Sequence, residues 1–416
     1  MSKYSDRLPR VTRIELSEKN KKLRMVLICV LLAIGVVAIG YGLFSALNVD
    51  GGWRNIEITT AERNCASDFV FSYCFDDSPA TATEDNKRLS ALYSDAAEKG
   101  YWLFNADEVS EEIGNLGYVN ANVNKPVTVD PVLYQAFAML EQFGNRHIYL
   151  GPVYAEYDGM FFAESDAAAA YYDPDQNLDL AAYFADVLAF ANDPQAIRVE
   201  LLGDNKVQLH VAQDYVAFAS ENEITAFLDF HWMTNAFLVD FLADQIRDAG
   251  FTSGFIASYD GFTRNLDATG RRYSQNIIDR YENSLYPAAV MSYTGAKSLV
   301  YLRNFPLTQQ DRWHYRSWEK GTVTTSYISL TDARSKTATD MLLTYSGDEG
   351  CAQLLLRSTE VYIADTLNEP ALTALAAEQV YALWAEGTEL RYTQNDIQLT
   401  QLMTDGKITY TARQAK

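Results

Sequence analysis

An uncharged apolar segment near the N-terminus constrains this chain more than any other part of its sequence. The segment runs from Met25 to Leu47, is 23 residues long and reads MVLICVLLAIGVVAIGYGLFSAL. As a helix it would extend about 35 Å, enough to cross the roughly 30 Å hydrocarbon core of a bilayer. The alternative, a cleaved signal peptide, has a shorter apolar region of roughly 7 to 15 residues. The length therefore predicts a retained transmembrane helix over 25–47.

Charges beside this segment predict its orientation. Residues 1–24 carry eight Lys and Arg against three Asp and Glu. Because cytoplasmic flanks of membrane helices are enriched in Lys and Arg, we expect 1–24 to be a cytoplasmic basic tail and the body to lie outside the cytoplasm. Cys29 follows Ile28 rather than a small residue, so no lipoprotein cysteine is predicted.

The body is strongly acidic. The chain has 416 residues and a net charge of −21, and removing the +5 of residues 1–24 leaves −26. Such a charge repels phosphate backbones, so nucleic acid is not an expected partner. Cysteines leave one question open: Cys65 and Cys74 are near enough in sequence to form a disulfide in an oxidising compartment, with Cys351 left over.

Apolar periodicity predicts a mixture of helices and short strands. Helices are expected within 127–145, where the helical spacing ends at Gly144, and at 179–193 and 238–250. Strands are expected at 196–202, 206–211, 252–258, 298–302 and 322–330. The GDN sequence at 203–205 is a predicted hairpin turn, and TATDMLLTY (337–345) is the predicted start of a further helix, capped by Thr337 or Thr339. The pattern predicts the α+β class, with mixed sheets and packed helices in one domain.

Most standard catalytic motifs are absent from the sequence. It contains no G-x-G-x-x-G, H-E-x-x-H, G-x-S-x-G or C-x-x-C. The four histidines, at 147, 210, 231 and 314, form no i, i+4 pair of the kind that binds zinc. The sequence therefore gives no support for zinc-dependent hydrolysis.

Three segments, in order, resemble the ApbE-type flavin transferase family. The first, LDFHWMTNAFLVD (228–240), precedes a helix, Gly250, a strand and the turn Tyr259-Asp260-Gly261. It is similar to the family's D-L-G-G-I-A-K-G-Y-A-V-D, which a helix and a strand ending in a G-G turn follow. Matching positions are Asp229, Phe237, Val239 and Asp240. His231 and Trp232 replace the two glycines, and Asn235 replaces the lysine.

The second and third segments follow at similar separations. HYRSWEKG (314–321) resembles the family's H-I-I-D-P-x-T-G and keeps His314 and Gly321, whereas Ser317 and Trp318 replace Asp and Pro. TATDMLLTYSGDEGCAQLL (337–355) resembles an A-D-A-x-x-T run into a helix. Asp340 and Thr344 keep the D-x-x-x-T spacing, which in a helix places both oxygens on one face. The resemblance covers roughly residues 85 to 365.

The resemblance implies a T-fold-like body that takes FAD and, with Mg²⁺, transfers FMN to a Thr or Ser of a partner protein. It implies that His314 is the base or positioning group and that Asp340 and Thr344 bind the metal ion. Implied flavin-binding residues are Asp229, Thr234, Asn235, Tyr259, Asp260 and Gly261. The partner would be a flavin-accepting membrane protein. The implied organisation is a linker and entry segment at 48–84, starting with a short linker at 51–55, and an extracytoplasmic ApbE-like domain at 85–416.

Two other functions remain open at this stage. One is a non-catalytic relative that uses the fold to bind a ligand or a membrane partner, because the lysine, the Asp-Pro pair and most of the glycines are replaced. The other is a flavin acceptor, because Thr294-Gly295-Ala296 resembles the acceptor motif S/T-G-A-T until Lys297 replaces its Thr.

Overall fold

The computed structural model describes residues 52–60, 63–77, 80–267, 269–394 and 396–415. The predicted basic tail at 1–24 and the predicted transmembrane helix at 25–47 lie outside these residues. Among the residues that are described, no helix is both long enough and apolar enough to cross a bilayer.

The described residues form helices and strands, and most of the helices pack on one side of a large sheet. The α-helices are α1 (Ala82–Leu103), α2 (Leu116–Ala121), α3 (Pro131–Phe143), α4 (Gly151–Phe162), α5 (Asp166–Ala169), α6 (Leu178–Asn192), α7 (Gln213–Glu221), α8 (Thr234–Asp248), α9 (Cys351–Tyr362) and α10 (Glu369–Leu375). Helix α8 contacts α1, α9 and the sheet, so it lies at the centre of the helical layer.

The large sheet contains nine strands. In spatial order they are β1 (Trp53–Asn55), β2 (Phe69–Cys74), β6 (Gly254–Ser258), β7 (Phe262–Asn265), β10 (Ser298–Arg303), β13 (Met341–Ser346), β14 (Tyr381–Glu386), β15 (Glu389–Tyr392) and β17 (Thr411–Gln414). Neighbours are antiparallel except β15 and β17, which are parallel.

Three smaller sheets complete the fold. Their strands are β3 (Pro126–Thr128), β4 (Ile197–Gly203) and β5 (Lys206–Val211); β8 (Arg272–Tyr281), β9 (Ser284–Thr294) and β16 (Gln398–Thr400); and the pair β11 (Tyr315–Ser317) and β12 (Val323–Thr325). The long hairpin β8–β9 packs against the face of the large sheet opposite the helices, as the contacts of its buried residues show.

Side-chain alternation along the sheet divides the core in two. In β10, Val300 and Leu302 belong to the core shared with the helices, whereas Leu299 and Tyr301 belong to the core shared with the hairpin. Because successive side chains of a strand point to opposite faces, a sheet covered on both sides must have apolar residues at consecutive positions. All six residues of β10 are buried accordingly.

The predicted helices and strands are largely confirmed. Helix α3 begins at Pro131, where the Asp130 carboxylate accepts a hydrogen bond from the Val132 amide, and ends at Gly144 with φ of 63°. Proline at the first position and a left-handed glycine after the last are the expected ends of a helix. The 203–205 hairpin turn is also confirmed, since β4 and β5 pair across it.

The predicted helix at 337–345 is wrong. Residues Met341–Ser346 form β13, which lies between β10 and β14 in the large sheet. All six of its residues are buried. A short apolar run buried on both faces has no periodicity that separates strand from helix, and here its neighbouring strands impose the extended form. Thr337 and Thr339 consequently cap no helix.

Strands β1 and β2 lie within the predicted linker and entry segment and pair with each other in the large sheet, where β2 also pairs with β6. Cys65 and Cys74 are buried free thiols, and Cys351 is also free. In this structure, therefore, Cys65 and Cys74 do not form a disulfide.

Candidate functional site

The turn Tyr259-Asp260-Gly261 joins the neighbouring antiparallel strands β6 and β7. Gly261 has φ of 118°, a conformation that side chains disfavour. A Cβ atom built there would lie 2.3 Å from the carbonyl oxygen of Tyr301. The Tyr301 amide donates a 2.9 Å hydrogen bond to the Gly261 carbonyl. The turn is therefore held tightly against β10, and only glycine fits.

A pocket of about 290 Å³ opens beside this turn, between the large sheet and the β8–β9 hairpin. Aromatic rings line it: Phe255, Tyr259, Tyr273, Tyr293 and Tyr301. Neutral polar side chains complete the wall, among them Asn265, Ser274, Gln275, Asn276 and Thr308. Among the described lining residues, Arg303 alone carries a charge.

Two tyrosines of the hairpin form a stacked pair in the pocket wall. Tyr273 and Tyr293 are cross-strand neighbours, and their ring centroids are 5.8 Å apart with an interplanar angle of 19°. The Tyr293 hydroxyl donates a 2.9 Å hydrogen bond to Asn265 Oδ1. Asn265 Nδ2 and the Tyr273 hydroxyl are buried without a well-formed hydrogen bond among the described residues, and the two side chains interact with each other.

Arg303 lies at the end of β10 with only 2% of its surface exposed. Its Nη2 atom donates to Asp311 Oδ2 at 2.7 Å and to the Tyr259 carbonyl at 3.1 Å. Asp311 also accepts hydrogen bonds from the amides of Leu307 and Thr308. Arg303 Nε is buried and unpartnered within the described residues. The Arg303 guanidinium thus links the turn at Tyr259 to Asp311, and the Asp311 carboxylate neutralises the charge of the guanidinium.

Asp260 lies behind the pocket and faces the N-terminus of α8. Asn235 Nδ2 donates a 3.0 Å hydrogen bond to Asp260 Oδ2, and Asp260 Oδ1 is unpartnered within the described structure. Burial raises the pKa of Asp260 to about 6, and the side chains of Ser258 and Asn235 offset only part of this effect. Thr234, the first residue of α8, is half-buried beside Asn235.

Asp229 and the two nearby histidines form a separate polar cluster. Asp229 Oδ1 accepts a 2.7 Å hydrogen bond from the His231 amide, which fixes a turn in which His231 has φ of 45°. His231 Nε2 lies 3.0 Å from Asp158 Oδ1, and its ring stacks on Tyr154 at 4.4 Å. Asp229 therefore shapes the backbone before α8.

His314 packs edge-on against His231, with 6.1 Å between the ring centroids. Its Nδ1 atom lies 3.3 Å from the Ser326 hydroxyl. Burial, followed by the neighbouring His231, lowers the pKa of His314 to about 4. The imidazole is consequently neutral at physiological pH, and a group with so low a pKa is a weak general base.

The structure does not bring Asp340 and Thr344 together as a pair of metal ligands. Asp340, just before β13, accepts hydrogen bonds from Arg280 Nη2 at 3.0 Å and from Asn304 Nδ2 at 2.6 Å. Thr344 is fully buried within β13, and its hydroxyl lies 2.9 Å from that of Ser358. Since β13 is a strand, the shared helical face on which the pair depended does not exist.

No other metal site emerges from the part of the chain that is described. Within it, no group of three or more His, Cys, Asp or Glu side chains is arranged to hold a metal ion. The cation beside Asp340 is the Arg280 guanidinium, whose Nη2 lies 3.0 Å from Asp340 Oδ1. The residues at Asp340 and Thr344 therefore do not fit Mg²⁺.

Of the residues that the sequence predicts for the site, Tyr259 and Gly261 line the pocket, and Asp260 and Asn235 form its second layer. The sequence analysis misses Arg303, Asn265, Tyr273 and Tyr293. The sequence alone does not show that Tyr273 and Tyr293 are neighbours, because this depends on the register of the β8–β9 hairpin.

Comparison with known proteins shows similarity in structure but not in sequence. No protein-family model and no curated protein sequence matches the chain. The ApbE protein from Thermotoga maritima superimposes with a TM-score of 0.53 at 8% identity, covering 80% of this chain and 93% of that protein. The flavin transferase ApbE from Vibrio cholerae gives a TM-score of 0.50 at 12% identity, covering 84% of this chain and 98% of the other. The chain therefore has an ApbE-like fold, as the resemblance of its three segments predicts.

Proposed function

We propose that this chain is a flavin-binding protein that holds the isoalloxazine ring of FAD in the pocket beside Tyr259 and Gly261. The observation that carries the proposal is the aromatic pocket at the end of β6, where the resemblance to the ApbE family places the flavin. Flat aromatic ligands suit pockets lined by aromatic side chains with a few fixed polar groups.

The lining residues have distinct roles in this proposal. The rings of Tyr273 and Tyr293 pack against the flat faces of the ligand. Asn265 Nδ2 and the Tyr273 hydroxyl, both lacking well-formed hydrogen bonds within the described structure, donate to the ring's carbonyl oxygens. A buried donor that gains an acceptor recovers the cost of its lost hydration, so these contacts favour a ring with polar edges.

We propose binding without Mg²⁺-dependent transfer. Asp340 is occupied by Arg280 and Asn304, and Thr344 is buried against Ser358. His314 is neutral and held between His231 and Ser326. This arrangement supports the non-catalytic relative, which is one of the functions that the sequence leaves open.

Transfer of FMN from FAD to a Thr or Ser of a partner protein is the second candidate. One observation favours it: a protein of similar fold from Vibrio cholerae is a flavin transferase. This candidate requires His314, Asp340 and Thr344 to rearrange around a metal ion. A mass spectrum of an acceptor peptide with a Thr, after incubation with FAD and Mg²⁺, would detect it as an added FMN.

We further propose that residues 25–47 anchor the chain in the cell membrane, with 1–24 in the cytoplasm and the body outside. Support for this comes from the uncharged 23-residue segment and from the excess of Lys and Arg before it. In this arrangement, the partners of the body are the flavin and a membrane protein. Labelling of an introduced cysteine at position 2 by a membrane-impermeant reagent in whole cells would contradict this orientation.

The binding proposal is tested by titrating the full-length protein in detergent with FAD and following flavin fluorescence. Tyr273→Leu removes a pocket ring and is expected to weaken binding at least tenfold, about 1.4 kcal/mol. Tyr281→Leu changes a tyrosine of the same strand outside the pocket and is expected to leave binding unchanged. Equal weakening by both substitutions, or the absence of FAD binding to the unmodified chain, would refute the proposal.

A further inference from the structure

The electrostatics of the pocket determine which flavin it accepts. Arg303 is the charged member among the described lining residues, and its partner Asp311 is fully buried at 2.7 Å. A guanidinium with an adjacent carboxylate presents little net charge to a ligand. The Arg303–Asp311 pair can therefore orient a neutral acceptor but cannot offset the negative charge of a phosphate.

Groups behind the pocket add to this effect. Asp260 adjoins both Tyr259 and Gly261 of the pocket wall and is partnered by the neutral Asn235 rather than by a cation. The body as a whole carries −26, obtained by removing the +5 of residues 1–24 from −21. A phosphate at the pocket mouth is consequently repelled at long range and gains no ion pair at short range.

The neighbouring pocket offers no better place for phosphates. A second pocket, of about 450 Å³, shares Tyr259 with the first. Its described lining residues include Glu57 but no Lys or Arg. The first pocket, at about 290 Å³, lies at the small end of the range of roughly 300 to 1,000 Å³ for ligand sites. It has room for a ring system, and the rest of a dinucleotide must lie outside it.

We infer that the pocket recognises a flavin by its ring alone, so that riboflavin, which carries no phosphate, binds more tightly than FMN or FAD. The inference rests on the proposed flavin site and states which flavin that site binds most tightly. The polar groups that serve this recognition are Asn265, Tyr273 and Arg303, all of which suit the carbonyl and imide edge of the ring.

The test is a parallel titration of the full-length protein with riboflavin, FMN and FAD. Riboflavin is expected to bind at least ~3-fold more tightly than FAD, about 0.7 kcal/mol. The difference is expected to shrink between 50 and 500 mM NaCl, because salt screens the repulsion of the phosphates. FAD binding as tightly as riboflavin or more tightly would overturn the inference while leaving the flavin site intact. Failure of all three flavins to bind would remove the site and the inference together.

Asn235→Lys supplies a direct variant for the same experiment. A lysine beside Asp260 adds a cation behind the turn. The affinities for FAD and FMN are therefore expected to rise at least ~3-fold relative to the affinity for riboflavin. Asn222→Lys, at the exposed end of α7, adds the same charge outside the pocket and is expected to change no ratio. Equal ratios in both variants and in the unmodified protein would contradict the electrostatic account, and the unmodified protein decides the preference even where a variant fails to fold.

Discussion

At the scale of single residues, His231 adopts a backbone conformation that is unusual for a side chain of its size. It stands where the resembled motif has a glycine, and it has a positive φ of 45°. The amide hydrogen bond to Asp229 and the stacking on Tyr154 stabilise this uncommon conformation. Asp229 is predictable from the sequence as a matching position. The role of Asp229 is not predictable from the sequence, because the same carboxylate could bind a ligand or stabilise a turn.

Gly261 gives the sharpest prediction at this scale. Gly261→Ala is expected to destabilise the protein by about 3 kcal/mol, since it combines a positive φ with a clash against the Tyr301 carbonyl. Gly250→Ala is the control, because Gly250 also has a positive φ, 91°, but open space around it. That change is expected to cost about 1 kcal/mol. Urea unfolding measures both, and equal costs would show that the turn does not pack as described.

Asp260 predicts a pH dependence of stability. Its pKa is raised by burial from 3.8 to about 6 in the folded state. The folded protein therefore binds the proton more tightly than the unfolded chain, and the associated stability is present below pH 4 and lost as pH rises through 6. Asp260→Asn should remove this loss, so its stability relative to the unmodified protein should rise by up to about 3 kcal/mol between pH 4 and pH 8. A relative stability that is constant with pH would contradict the burial of an ionisable group there.

At the scale of elements, the sequence predicts best where end signals and amphipathic spacing agree. Helix α3 has Asp130, Pro131 and Gly144 at its ends, and its predicted end at Gly144 is confirmed. Strand β13 has no such signals, and its MLLTYS sequence is buried on both faces. Its conformation depends on pairing with β10 and β14, which come from distant parts of the chain. The shared helical face on which the metal-ligand prediction rested is therefore absent.

Asp240, one of the positions that match the resembled motif, connects three elements. Its carboxylate accepts hydrogen bonds from the amides of Cys351 and Ala352 at the start of α9, both at 2.9 Å, and from Arg264 of β7 at 2.6 Å. Asp240→Ala is expected to cost about 3 kcal/mol, because it removes the acceptor at the start of α9 and the nearer of the two carboxylates beside the half-buried Arg264 guanidinium.

Asp244 provides the matched control, one turn further along α8. It reaches the same Arg264 at 3.4 Å, but 54% of its side chain is exposed against 15% for Asp240. Asp244→Ala should therefore change the free energy of unfolding by less than about 1 kcal/mol. Equal costs for the two alanine variants in urea unfolding would contradict the role of Asp240 as a tie between helices and sheet.

At the scale of the whole molecule, the fold assembles a site from segments that lie far apart in sequence. Helix α8, the Tyr259–Gly261 turn and strand β13 carry segments that resemble the ApbE family and lie in or against the large sheet, whereas the segment 314–321 contains β11 of the two-stranded sheet. The order of these segments made the fold predictable. The pocket was not predictable, because part of its wall comes from the β8–β9 hairpin, whose packing on the sheet leaves no local signal.

The central claim is that the pocket binds flavin without a metal ion. Its most direct test is a titration of the full-length protein with FAD, with Mg²⁺ or with EDTA, for the unmodified chain and for Asp340→Ala. Because Asp340 binds Arg280 and Asn304 and does not line the pocket, we expect the same Kd within about twofold in all four titrations. Binding that requires Mg²⁺ and is lost in Asp340→Ala would contradict the account and restore the metal-dependent transferase.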